Sequence, residues 1–234
     1  MNTREINEKL VAFWNQAIAL PDDYKKLVSE AAGFNVSDIA PSEKLYLAVK
    51  ELGTCSKVLD YGCGTGWAAC AAAEAGCNDV LAVDLGENII EYANFHIERL
   101  ALQEKVKTLV VDSSWIKSAP SSTFDGLVCS NVLDVLPLET SMDIIKEIAR
   151  ITKSGATIII GLNFYLSKEM AEAKNMQLVD DMYLFVNDVL RLTSLSDDEW
   201  KNLFAPYFEV MKLDYFAWEG EPKESRRLFI LKKK

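Results

Sequence analysis

The sequence predicts an α/β fold, a doubly wound and mostly parallel sheet with helices on both faces. Three observations carry this. From Lys57 onward, short apolar runs alternate with longer amphipathic ones. The short runs are apolar almost throughout, as strands are when helices cover both faces of a sheet. The first of them, "KVLDYG", leads into three glycines within five residues and then an alanine-rich helix.

Taken in order, residues 1–53 read as helical and contain no clear strand. Ile6, Leu10, Phe13, Trp14 and Ala17 fall at helical spacing. Pro21 and Asp22 break that helix and start another, and Ser42 is placed to cap a third that ends near Gly53. After the first strand comes the helix "WAACAAAEAG". "DVLAVDL" is a second strand. "GENIIEYANFHIERLAL" is a helix with Ile89, Ala93, Ile97 and Leu100 on one face. "KTLVVD" and "FDGLVCS" are the third and fourth strands. "LETSMDIIKEIARITKSG" is a helix ending at Gly155, and "ATIIIGL" is a fifth strand. Residues 163–199 break the rhythm, with Tyr165, Met170, Met176, Met182, Tyr183 and Phe185 set among charges; they read as helix and loop. "SDDEWKNLFAPYF" holds a short helix capped by Ser196. "FEVMKLDYFAW" and "SRRLFILKK" are long strands joined by the turn-like "EGEPKE", and they are able to pair antiparallel.

The 234 residues suit one large domain, or one domain with a cap, and half of them are apolar. Thirty-five acids against 25 bases leave a charge of −10, which disfavours a broad nucleic-acid footprint. No secretory signal and no membrane-spanning stretch is visible, so a membrane partner is not expected. Cys55, Cys63, Cys70, Cys77 and Cys129 are odd in number and lack a CxxC pair. They indicate a reducing cytoplasm rather than a disulfide framework. Their spacing fits no zinc pattern, so no metal is expected.

The strand, glycine turn and helix make an anion- and nucleotide-binding corner, where backbone approaches a ligand closely and helix amides point at it. The turn reads D-x-G-x-G-x-G, from Asp60 through Gly62, Gly64 and Gly66. The dinucleotide fingerprint wants its third glycine one place later, where Trp67 stands. Asp84 ends the second strand, placed for ribose hydroxyls or for capping the next helix. Asp112 ends the third, placed for a nucleotide contact or a turn cap. So many carboxylates repel phosphate and tolerate a cationic nucleoside.

Through "VLDYGCGTG", "LAVDLGENIIEYA", "VVDSS" and "FDGLVCSNVLDVL", at matching order and spacing, the sequence resembles the class I S-adenosylmethionine-dependent methyltransferases. The resemblance covers about residues 55–162, and the final strand pair fits it too. It implies a Rossmann-like, seven-stranded sheet, mostly parallel with an antiparallel last strand, under a helical cap. Residues 1–53 would be an N-terminal lid, 54–234 the core, and 163–199 a cap insertion after strand five. It implies S-adenosylmethionine as cofactor and S-adenosylhomocysteine as product. Asp60 would lie near the methionine amine, and Gly62, Gly64 and Gly66 under the methionine moiety. Asp84 would hold the ribose, Leu85 would lie against the adenine, and Asp112 and Ser113 would bond the adenine edge. Ser130 and Asn131 would sit near the sulfonium.

Many small-molecule members carry histidine after strand four, where this chain reads "LDVL". Asn131 is followed by Val132, which disfavours the Asn-Pro-Pro-Tyr class. His96 is the only histidine. It lies roughly 15 Å along its helix from the ligand end, so a structural or surface role is expected. A sulfonium is an activated donor, and positioning supplies rate without a histidine base. Asp134, Tyr24 and Tyr165 are the candidates if a base is needed. Phe13, Trp14, Tyr24, Tyr165, Met182, Tyr183 and Arg191 are available to wall a small-molecule pocket. The leading expectation is a small-molecule methyltransferase. The alternatives are a non-catalytic S-adenosylmethionine-binding or partner-binding module and, less favoured, a nicotinamide oxidoreductase.

Overall fold

The computed structural model describes residues 3–234; Met1 and Asn2, the first residues of the expected lid, lie outside the described residues. Three helices open the chain: α1 (Thr3–Ala17), α2 (Asp22–Glu30) and α3 (Glu43–Lys50). Ser42 stands at the start of α3 but makes no side-chain cap, and α3 runs on as a tight 3-10 turn, Glu51–Thr54. Then come β1 (Val58–Tyr61), α4 (Trp67–Glu74), β2 (Val80–Asp84), α5 (Glu87–Arg99), β3 (Val106–Val110), the short α6 (Trp115–Ser118) and β4 (Phe124–Ser130). The helix α7 (Leu138–Ile151) passes directly into β5 (Thr152–Leu162).

The main sheet has seven strands in the order β3-β2-β1-β4-β5-β10-β9. The five from β3 to β5 are parallel. The last strand, β10 (Arg226–Lys233), is antiparallel to both β5 and β9 (Phe208–Phe216). This is the expected doubly wound sheet. Two apolar cores flank it, one around α4 and α5, the other around α7 and α9 (Asp197–Phe204). The run Ala68–Ala73 is buried throughout, with Cys70 within it. Small side chains there let α4 press close to its neighbours: a Cβ on Gly53 would lie 2.4 Å from the Ala75 carbonyl oxygen. The five cysteines are all unpaired.

Two segments differ from the sequence reading. The helix α7 stops at Ile151, four residues before Gly155, because the Thr152 hydroxyl donates to the Ile148 carbonyl while its backbone turns extended. Gly155 lies inside β5 at φ +76°. Residues 163–199 hold more than helix and loop. After α8 (Lys168–Ala173) they form a small antiparallel sheet of β6 (Leu178–Val179), β7 (Tyr183–Val186) and β8 (Val189–Thr193). Its two tight turns use Asp180 and Asp181 (φ 51° and 57°), then Asn187 and Asp188 (φ 50° and 61°). Asn and Asp tolerate this left-handed backbone, which matches the twist of the paired strands.

Arg227 anchors that insertion at both ends. Its guanidinium, almost wholly buried, donates to the carbonyls of Asn163 and Phe164 at the start and Leu195 at the end (2.9, 3.5 and 2.6 Å). Asp197 stands 3.5 Å away as counter-charge. Substituting Arg227→Met leaves three backbone carbonyls, that of Leu195 buried, and the Asp197 carboxylate without this partner. A loss of about 3 kcal/mol is expected, read as a lower urea midpoint, with the insertion becoming the first segment cut by protease.

Candidate active site

The glycine turn is built by its backbone. Gly62, Gly64 and Gly66 take φ values of +73°, +53° and +79°, which residues with a Cβ rarely adopt. The amides of Gly62 and Cys63 both donate to the Val83 carbonyl in β2, and Gly66 closes the turn onto Cys63. Gly62 is hemmed in, since a Cβ there would lie 2.3 Å from the Val132 side chain. Gly64 is different: a Cβ there would meet nothing within 4 Å. The turn therefore leaves open space above its middle residue.

Two carboxylates brace this turn. Asp60, buried at the end of β1, accepts a hydrogen bond from Ala69 at the start of α4 (3.0 Å). Burial pushes its carboxyl up to about 7; the Ala69 amide opposes this and the nearby Asp84 charge adds to it. Asp84 accepts from Gly64 (3.0 Å) and from Leu85 (2.7 Å). Its bond to Gly64 reaches back to the turn, while Gly86 takes the position before α5. Burial raises its pKa and the backbone amides pull it down. Asp112 is exposed past β3, where Ser114 donates to one oxygen through both its amide and hydroxyl. Those bonds lower its pKa. Leu85 is half-buried, and Ser113 is exposed beside Asp112.

Ser130 ends β4 and Asn131 follows it. Asn131 takes φ +59° and its side-chain amide donates to Asn163 (3.3 Å). Thus Asp60, the glycines, Asp84, Leu85, Asp112, Ser113, Ser130 and Asn131 all gather at the C-terminal edge of the parallel strands, where open α/β sheets take ligands.

The expected pocket residues divide. Phe13 and Trp14 on α1 meet Arg191 on β8, whose guanidinium lies 4.3 Å from the Phe13 ring centre and 5.1 Å from that of Trp14. Tyr183 accepts a long hydrogen bond from Leu138 at the start of α7 (3.4 Å). Met182 packs against the α7 core, and Tyr165 is exposed. Asp134 is fully buried, accepts from the Asn163 amide, and has its other oxygen unpartnered. Burial raises its pKa, against the pull of the Asn163 amide and the Arg227 charge.

Tyr24 turns elsewhere, to His96. That histidine is buried; its Nδ1 donates to the Thr65 carbonyl in the glycine turn (2.8 Å), and its Nε2 faces the Tyr24 hydroxyl (2.9 Å). Burial lowers its pKa, in keeping with a neutral ring. Distance along the helix misjudges this residue, because the turn crosses the middle of α5: a Cβ on Gly66 would lie 3.0 Å from that of Ala93. Sequence reasoning also missed Asn15, Asn163 and Arg226. Asn15 caps the start of α5 by accepting from the Asn88 amide (3.1 Å). Asn163 and Arg226 adjoin each other only through strand pairing.

Asp60 should leave a pH signature. Its folded pKa lies above the ordinary carboxyl range, so its contribution to stability is fullest below about pH 4 and is lost as pH rises through about 7. The melting temperature of the wild type should therefore fall relative to Asp60→Asn between about pH 5 and pH 8. A constant difference would place the ionised form in the fold throughout.

Residues 58–155 match the family described as a methyltransferase domain. Among curated proteins, the ribosomal protein L11 methyltransferase of Cupriavidus pinatubonensis is 32% identical over 116 residues, half of this chain and 35% of that protein. Its counterpart from Thermotoga neapolitana is 27% identical over 157 residues, 67% of this chain and 56% of that protein. The chain thus spans between about a third and just over half of those relatives' length. Among solved structures, the Burkholderia thailandensis 1,6-didemethyltoxoflavin-N1-methyltransferase, bound to 1,6-didemethyltoxoflavin and S-adenosylhomocysteine, aligns with all of this chain and 91% of its own. The TM-score is 0.71 at 16% identity. An S-adenosylmethionine-dependent methyltransferase from Methanosarcina mazei covers 76% of this chain and 92% of its own, with a TM-score of 0.63 at 20% identity. Residues 58–155 are thus similar to a methyltransferase domain, and the chain shares its fold with solved S-adenosylmethionine-dependent methyltransferases.

Proposed function

We propose that the protein transfers a methyl group from S-adenosylmethionine to a small-molecule acceptor. The observation that carries this is the glycine turn, open above Gly64 and bordered by the strand-end carboxylates Asp60, Asp84 and Asp112. That donor set fits a neutral ribose and a cationic sulfonium, and it repels a free phosphate. When bound, S-adenosylmethionine supplies an activated methyl group and leaves as the neutral thioether.

The residues of this chain then have distinct tasks. Asp84 would accept hydrogen bonds from the ribose hydroxyls. Gly62, Gly64 and Gly66 shape the seat of the methionine moiety. Asp60 lies beneath it, holding the start of α4. Leu85, Asp112 and Ser113 border the adenine, and Ser130 and Asn131 the reacting end. In-line positioning and exclusion of water supply the rate. No histidine base takes part, since both nitrogens of His96 are engaged by Thr65 and Tyr24.

The small-molecule reading draws on the cap. Residues 1–53 act as a lid on the core of 54–234, with 163–199 as an insertion after β5. The helix α1 bridges the ligand edge, bonding Asn88 at α5 through Asn15 and stacking Phe13 and Trp14 on Arg191 of β8. A lid of this kind suits an enclosed acceptor better than a folded protein such as the L11 relatives' names indicate for them. No described helix is long and apolar enough to cross a membrane. The five unpaired cysteines favour a cytoplasmic setting.

Calorimetry with S-adenosylhomocysteine tests the cofactor directly: binding is expected, and binding of NAD instead would refute the reading. Asp84→Ala should weaken S-adenosylhomocysteine roughly tenfold or more, from the loss of charge-assisted hydrogen bonds of about 1.5–3 kcal/mol, with the melting transition still cooperative. Deleting residues 1–40 should abolish methyl transfer while some cofactor binding survives. A folded truncation with normal turnover would show that the pocket is closed by other elements.

A further inference from the structure

A cavity of about 320 Å³ lies between the insertion and the ends of β5 and β10. Phe164, Leu184 and Leu192 supply apolar walls, and Asn163, Arg191 and Arg226 supply the polar ones. It adjoins the ligand edge, because Asn163 accepts from Asn131 past β4 (3.3 Å) and from Arg226 (2.6 Å). Its volume is that of a small organic ligand.

The two arginines differ in what they have left to offer. Arg226 is neutralised: Glu221 takes two of its nitrogens at 2.6 Å each, and Trp218 covers its face at 3.3 Å. Arg191 is not. Among the described residues its guanidinium has no hydrogen-bond or ion-pair partner, and only the Phe13 and Trp14 rings hold it in place. Stacking fixes the plane of a guanidinium while leaving its edge of five N–H donors free. A half-buried cation, oriented by aromatic rings and with unused donors, faces a cavity with apolar walls. The chain as a whole carries −10, so this charge runs against the overall balance.

We propose that the methyl acceptor is a small organic acid, with an apolar body in this cavity and its carboxylate in the fork of Arg191. The proposal rests on the methyl-transfer reading above. A carboxylate matches the paired donors of a guanidinium edge and would be held there bidentately. Arg191 already ties β8 to α1 through this stacking, so the carboxylate would be held where the insertion meets the first helix.

The test uses the full chain and begins with S-adenosylhomocysteine calorimetry. Failure to bind there overturns the methyl-transfer reading itself. With binding established, S-adenosylhomocysteine release is measured on two pools: hydroxyl- and amino-substituted aromatic and aliphatic carboxylic acids, and the same compounds as primary amides. At least tenfold faster release on the acid pool is expected. For the best acid, Arg191→Met should raise KM tenfold or more with a much smaller change in kcat and unaltered S-adenosylhomocysteine affinity. Arg191→Lys should recover part of the loss. Equal turnover of amides, no turnover of acids despite cofactor binding, or an Arg191→Met enzyme that keeps its preference would each overturn the proposal.

Discussion

The hydrogen bond from Gly64 to Asp84 joins two strand ends through a turn that could not hold its shape alone. Three residues of positive φ in five positions are costly to order, and a loop so rich in glycine has many other conformations open to it. Asp84 holds the turn from β2 and Asp60 from beneath, through Ala69. Both carboxylates are pushed toward their neutral forms by burial, and the amides that donate to them only partly oppose this. The start of α4, the seat above Gly64 and the ends of two strands are set together by these few contacts.

From that turn, contacts pass outward in two directions. On one side His96 links the Thr65 carbonyl to Tyr24, so the second helix of the chain docks against the back of the turn. On the other side Asn131 reaches Asn163, which in turn meets Arg226, while its backbone is held by Asp134 and Arg227. Asn163 is the point where the sheet, the insertion and the final strand converge. Its position explains why a buried aspartate and a buried arginine are kept nearby: each satisfies backbone groups that leave the sheet at the end of β5.

Charge is divided along this edge. The carboxylates Asp60, Asp84 and Asp112 stand at the ends of β1, β2 and β3, toward one border of the sheet. Arg191 and the neutralised Arg226 stand beyond β5 and β10, toward the other. A cationic ligand and an anionic one would be sorted to opposite ends by this field, with Ser130 and Asn131 between them.

The parallel sheet and the glycine corner could be read from sequence because their signals are local. Apolar runs, glycine spacing and strand-end acids mark each element from within a few residues. The cap was less legible. The paired Asp180–Asp181 and Asn187–Asp188 were a hairpin signal overlooked in a stretch read as helix and loop. The end of α7 was misplaced because a threonine hydroxyl, not a glycine, closes that helix. Tertiary structure alone decided which side chains share a cavity. Arg191 lies well over a hundred residues from the adjacent Phe13 and Trp14, and Asn163 meets Arg226 only through the pairing of β5 with β10. It also moved His96 from a distant helix position to the back of the glycine turn, since the path along a helix does not measure the gap to whatever crosses its middle. Local chemistry is written in neighbouring residues; the meeting of distant ones is set by packing, which no short window of sequence contains.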